Sequence, residues 1–259
     1  TIAPGVDMPV ISIGTGGLEH DSAVDIVSTW LGLGGRGIDT ALGYQNQAGV
    51  AQAIASSGVE RGDLFITTKV PGCSPTTVED QIQEDLSLLE TKYIDLLLIH
   101  FPSGTAADCA QSWEVLEQYH AKGVARAIGV SNFNVTNLKD LLQTAKVVPA
   151  VNQVQLNILE HDDATIAFAG EAQVATEAYS PLGRNSSIVT QNPTVSEIAA
   201  NHEVSTYQVA GKWILQHGHL MTFQSTSESH QEVDADLFGF QLTTDEMSIL
   251  DSLQTSVFI

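Results

Sequence analysis

The segment Ile94-Asp95-Leu96-Leu97-Leu98-Ile99-His100 decides the fold. It is an almost unbroken aliphatic run, short for a helix and without the apolar-polar alternation of a strand that faces water on one side. Strands covered on both faces of a parallel sheet read this way. The same kind of run recurs in both directions. VISIG at 10–14, GID at 37–39 and DLFITTK at 63–69 precede it; ARAIGVS at 125–131, PAVNQVQ at 149–155, QVATEAYS at 173–180 and HLMTFQS at 219–225 follow.

Helical patterns fill the intervals. In 75–90, Val78, Ile82, Leu86 and Leu89 share one face while Glu79, Asp80, Glu84 and Glu90 take the other. Further patterns cover 21–31, 194–202, 205–217 and 243–253. Eight strand-helix units in 259 residues predict a single α/β domain over 1–259, a closed (β/α)₈ TIM barrel, with a doubly wound open sheet as the alternative. No Pro/Gly/Ser-rich linker divides the chain. Residues 32–37, GLGGRG, match G-x-G-x-x-G, but the motif follows a helical pattern and opens a strand, the reverse of a dinucleotide turn. It reads as a flexible connection.

Composition narrows the function classes. Ten Lys+Arg stand against 31 Asp+Glu, a formal net charge of −21, and no Lys/Arg cluster offsets it. Such a field repels nucleic-acid phosphates and anionic lipid, so neither is an expected partner. No stretch reaches the roughly 20 apolar residues of a spanning helix, and TIAPGVDMPV lacks the basic and apolar regions of a signal peptide. Cys73 and Cys109 sit in unrelated contexts, which favours a reducing compartment and a cytoplasmic protein.

A barrel of this kind builds its site from the C-terminal strand ends. Those ends are chemically dense here: Asp39 with Tyr44 in the next loop, Lys69, His100, Ser131 and Asn132, Gln153, Tyr179 and Ser180, then Gln224 and Ser225. Lys69 and His100 close apolar strands, where an ionisable group needs a partner. Asp39 could pair with Lys69, and the ammonium would lower the Tyr44 pKa toward neutrality, making the phenol a better proton donor and acceptor. His100 could hydrogen-bond the same reacting oxygen. Each residue alone has an ordinary reading as a cap, anchor or core group; the four together point to one shared site.

GIDTALGYQNQAGVAQAI (37–54), ITTKV (66–70), KYIDLLLIHFP (92–102), KGVARAIGVSNF (122–133), VNQVQ (151–155) and AYSPLG (178–183) resemble the aldo-keto reductase superfamily over nearly the whole chain. The resemblance implies a barrel without a Rossmann domain that reduces aldehyde or ketone carbonyls with a nicotinamide cofactor. Tyr44 matches the general acid, Lys69 and Asp39 the pair that tunes it, and His100 the residue that orients the carbonyl. Ser131, Asn132 and Gln153 match carboxamide-binding groups, and Tyr179 matches the ring stacked on the nicotinamide, with Ser180 and Leu182 in the same cofactor-binding stretch.

Two regions depart from that pattern. Where the family usually carries a lysine and an arginine for the adenosine 2′-phosphate, this chain has Gln224 beside Ser225, and His230 followed by Glu232, Asp234 and Asp236. NADPH remains the expected cofactor on family precedent, with NADH admitted by the missing cations. Gly16 and Phe101 replace frequent tryptophans at the substrate pocket, and the last helical pattern ends close to Ile259. An open mouth and loose specificity follow, for medium-sized aldehydes, α-dicarbonyls or keto esters, in a monomer.

Two other classes compete: a nicotinamide-binding sensor with little turnover, which the intact tetrad argues against, and a Schiff-base enzyme using Lys69, which a carboxylate partner disfavours. No metal is expected, since His217-Gly218-His219 is the only close histidine pair and lies at the opposite rim. Asn134 and Asn185 begin glycosylation sequons.

Overall fold

Apolar runs become strands and amphipathic patterns become helices, in strict alternation. A computed structural model describes residues 1–183 and 186–254. The order begins β1 (Ile11–Gly14), α1 (His20–Gly32), β2 (Gly37–Asp39), α2 (Gln47–Ser57), β3 (Phe65–Val70), α3 (Val78–Leu88), β4 (Ile94–Ile99) and α4 (Ala106–Ala121). It continues through β5 (Ala125–Ser131), α5 (Val135–Leu142), β6 (Val151–Gln155), α6 (Asp163–Glu171) and β7 (Ala175–Tyr179). Then come α7 (Ser186–Thr190), α8 (Pro193–Asn201), α9 (Thr206–Gln216), β8 (Leu220–Phe223), α10 (Glu228–Ala235) and α11 (Thr244–Asp251).

The eight strands pair in parallel and in sequence order, and β1 closes on β8, with Ile13 opposite Phe223. The closed (β/α)₈ barrel is therefore the architecture, and the open sheet is ruled out. Period-two alternation sends every second strand residue inward. Outward-facing Leu97, Ile99 and Ile128 pack beneath helices with Trp113, Leu116 and Leu138. Inside, Phe65, Leu96, Leu98, Ala127 and Val151 fill the lower barrel and meet Val6 and Met8 of the N-terminal segment, which plugs that end. The segment is held by an antiparallel bridge between Ala3 and Val6.

The glycine-rich stretch 32–37 does join a helix to a strand. Its shape is set by Trp30, whose indole Nε1 donates to the Gly37 carbonyl at 2.8 Å. A Cβ on Gly35 would fall 2.0 Å from the Trp30 ring, so the motif serves packing.

One sequence expectation is overturned. Cys73 and Cys109 are joined in a disulfide, Cα to Cα 4.5 Å. Spacing could not show this, because the barrel brings the loop after β3 beside the start of α4 across 36 residues of chain. No helix among the described residues is long and apolar enough to cross a membrane.

Candidate active site

Strand β2 ends in Asp39, β3 carries Lys69 one residue from its end, and a 3₁₀ turn at Leu42–Tyr44 folds the tyrosine back over both. Lys69 Nζ donates to Asp39 Oδ1 at 2.7 Å, to Asp39 Oδ2 at 2.8 Å and to the Thr40 carbonyl at 2.9 Å. The ammonium lies 3.4 Å from the Tyr44 hydroxyl. Lys69 is fully buried and Asp39 nearly so. Burial alone pulls Lys69 down, but Asp39 and Tyr44 more than offset it, and the amine stays charged with a raised pKa.

Gly16 makes room for the phenol: a Cβ there would sit 3.3 Å from Tyr44 Cζ. His100 stands on the other side, its ring 5.6 Å from that of Tyr44 and nearly perpendicular to it. Burial, then the Lys69 charge, lowers His100 to about 4, so the imidazole is neutral at physiological pH. Phe101 stacks on His100 at 4.3 Å and is 48% exposed, forming part of the rim.

The Tyr44 pKa departs from the sequence expectation. Burial raises it, Lys69 lowers it by less, and the net shift is upward. A phenol in a half-closed cleft loses hydration of its anion, a cost invisible in a list of neighbours. The hydroxyl therefore keeps its proton at neutral pH.

The remaining candidates form one wall of the same cleft, a cavity of about 740 Å³. Asn132, in a left-handed conformation at φ 62°, donates its amide to the His100 carbonyl at 3.0 Å and to Ser131 Oγ at 3.0 Å. Its Oδ1 accepts the Tyr179 hydroxyl at 2.8 Å. Gln153 donates to Asp39, and among the described residues no hydrogen bond ends on its Oε1, which leaves an acceptor on the cleft wall. Ser180, also left-handed at φ 51°, turns the chain so that Leu182 and Gly183 line the cavity.

Ser131 is the exception. It is buried behind Asn132, and its hydroxyl donates to the Gln153 carbonyl at 2.9 Å, so it braces the wall without lining it.

At the far end of the cleft Gln224 Nε2 donates to the Gly16 carbonyl at 2.9 Å. Ser225 bonds within its own turn to Ser227, and exposed His230 stacks at 5.9 Å on Tyr207. No lysine or arginine lines the cavity among the described residues.

Nearly the whole chain matches known proteins. Residues 10–255 fit the model of the aldo/keto reductase family. The chain belongs to that family. An aldo-keto reductase of Mycolicibacterium vanbaalenii is 40% identical over 248 residues, 95% of this chain and 88% of that protein. Aldo-keto reductase Rv2971 of Mycobacterium tuberculosis is 36% identical over 95% of this chain and 87% of its own length. Among solved structures, MGS-M4, an aldo-keto reductase from a deep-sea metagenome library, superposes with a TM-score of 0.95 at 30% identity, covering 99% and 95% of the two chains. A Bombyx mori aldo-keto reductase, solved in complex with NADP, gives 0.88 at 29% identity over 95% and 89%. Aldo-keto reductases are generally NAD(P)H-dependent carbonyl oxidoreductases acting on small molecules.

Sequence reasoning missed one residue that lines this aldo-keto reductase cleft, Tyr207, and one that is buried beneath it, Glu177. Glu177 is wholly buried in β7 and bonded to Gln153; its position two residues before Tyr179 was the available signal. Tyr207 opens α9 and gave none. Elsewhere, among the described residues, no three His, Cys, Asp or Glu side chains are grouped as a metal site needs. Asn134 caps α5 through Asn137, and Asn185 lies outside the described residues.

Proposed function

We propose that this reductase converts small aldehydes and ketones to alcohols, with Tyr44 as general acid. The observation that carries the reading is the protonated Tyr44 hydroxyl 3.4 Å from a buried Lys69 ammonium, beside a neutral imidazole, inside a cleft. A carbonyl oxygen gaining negative charge needs a proton and a second donor where that charge forms. Tyr44 supplies the proton and His100 the second hydrogen bond. Asp39 keeps Lys69 charged, and Lys69 eases departure of the phenolic proton.

The residues present fit a nicotinamide cofactor. The open acceptor of Gln153 and the Tyr179 ring suit a carboxamide and its ring, with Asn132 alongside. Buried Thr222, whose hydroxyl lacks a partner, lines the same cleft. The bound cofactor supplies a hydride; the chain's own residues hold the acceptor and deliver the proton. Ser180 and Leu182 flank that end, while Ser225 and His230 serve the adenosine end.

NADPH is the proposed cofactor, with weak discrimination against NADH because Gln224 and His230 replace fixed cations. Substrates are medium-sized aldehydes, α-dicarbonyls or keto esters admitted past Gly16 and Phe101, and the unit is a monomeric domain spanning 1–259. A cytoplasmic location requires that the Cys73–Cys109 bond be absent or dispensable there.

Tyr44→Phe tests the assignment. NADPH binding, followed by fluorescence quenching, is expected to hold, while kcat for a reactive aldehyde falls on the order of 10³-fold. Unchanged turnover removes Tyr44 from the role.

A further inference from the structure

A second carboxyl group lies beneath the tetrad, and the proposed reduction does not use it. Glu177 is the middle residue of β7 and fully buried, in phase with Tyr179 and so turned into the barrel. Its Oε2 accepts from Gln153 Nε2 at 2.8 Å, and the same nitrogen donates to Asp39 Oδ2 at 2.8 Å. One amide thus joins two buried carboxyls.

A single cation, Lys69, stands opposite them, and its hydrogen bonds go to Asp39, Thr40 and Tyr44. The second oxygen of Glu177, Oε1, has no partner. Strands β1, β6 and β8 bring no charged side chain toward it. The titratable groups it faces are therefore Asp39 on β2 and Lys69 on β3, with Tyr44, His100 and Tyr179 at the mouth above. Two ionised carboxyls against one ammonium would leave a buried, uncompensated negative charge, which is expensive in a dry interior.

We propose that Glu177 is a positioning residue held as the neutral acid, fixing the Gln153 amide against Asp39 and so keeping the Asp39–Lys69 pair electrically balanced behind Tyr44. The consequence for catalysis rests on the reading of Tyr44 as proton donor. Burial first, and the Asp39 charge second, push the Glu177 carboxyl up to about 8. As pH rises past that value, Glu177 ionises, a negative charge appears beside Lys69, and the Tyr44 proton becomes harder to release.

The sign for stability is equally defined. The unfolded chain ionises this carboxyl near its ordinary 4.5 and the native one near 8, so native stability is lost progressively as pH rises between those values.

Glu177→Gln mimics the neutral acid. Its melting temperature, relative to the unaltered enzyme, is expected to climb by about 3 °C or more between about pH 5 and pH 8.5. The alkaline limb of kcat for aldehyde reduction moves upward by about one pH unit, while kcat near pH 6 stays within about threefold. A melting difference that stays flat between those pH values shows a Glu177 already ionised at about pH 5 and overturns the proposal. A limb that does not move overturns the coupling to Tyr44. The melts need neither substrate nor cofactor, so an enzyme that reduced no carbonyl would sink the reading of Tyr44 and leave the melts to decide Glu177.

Discussion

Gln224 is where a single substitution would test the proposed cofactor preference. Its amide reaches the Gly16 carbonyl and ties the loop after β8 to the loop after β1, yet it brings no charge to the end of the cleft proposed for adenosine. A lysine there would offer an ammonium to a phosphate that a neutral amide can only hydrogen-bond. Gln224→Lys is expected to tighten NADPH on the order of tenfold and to leave NADH nearly unchanged, a difference read by fluorescence titration. Equal gains for both cofactors would place the effect outside phosphate recognition. At this scale the tetrad was legible because ionisable groups at the ends of apolar strands have no comfortable alternative. Tyr44 was read with its pKa shift in the wrong direction, since partners are visible in a sequence and burial is not.

Among elements, the strands were the easiest to read, because continuous aliphatic runs allow little else. Their starts slipped by about two residues where the chain was still turning: Asp63 closes a 3₁₀ turn, so β3 begins at Phe65, and β6 begins at Val151, just after Pro149. The disulfide lay beyond reach, because folding alone brings its halves together. Cys73 Sγ lies 3.8 Å from the Phe101 carbonyl, Cys109 Sγ lies 3.8 Å from that of Ser103, and Ser103 Oγ accepts from the Cys73 amide at 3.1 Å. The bond therefore straps the loop that carries Phe101. Cys109→Ser is expected to lower stability by about 3 kcal/mol, the loop-closure scale, in urea melts. It should raise KM for the carbonyl substrate several-fold with little change for the cofactor. A variant with unaltered KM would separate the strap from the substrate wall.

At the scale of the molecule, a net charge of −21 acts on everything at once. Mutual repulsion among acidic groups opposes the compact state and is screened by salt. The melting temperature is expected to rise by a few degrees as NaCl goes from about 0.05 to 0.5 M, by calorimetry; a fall would show local ion pairs outweighing the general field. Val6 and Met8 seal the opposite end of the barrel. Among the described residues the result is a vessel with one doorway. A reactant that enters there would depart past the same rim, so a slow leaver would make the next arrival queue, and at saturation traffic as well as chemistry would govern the pace.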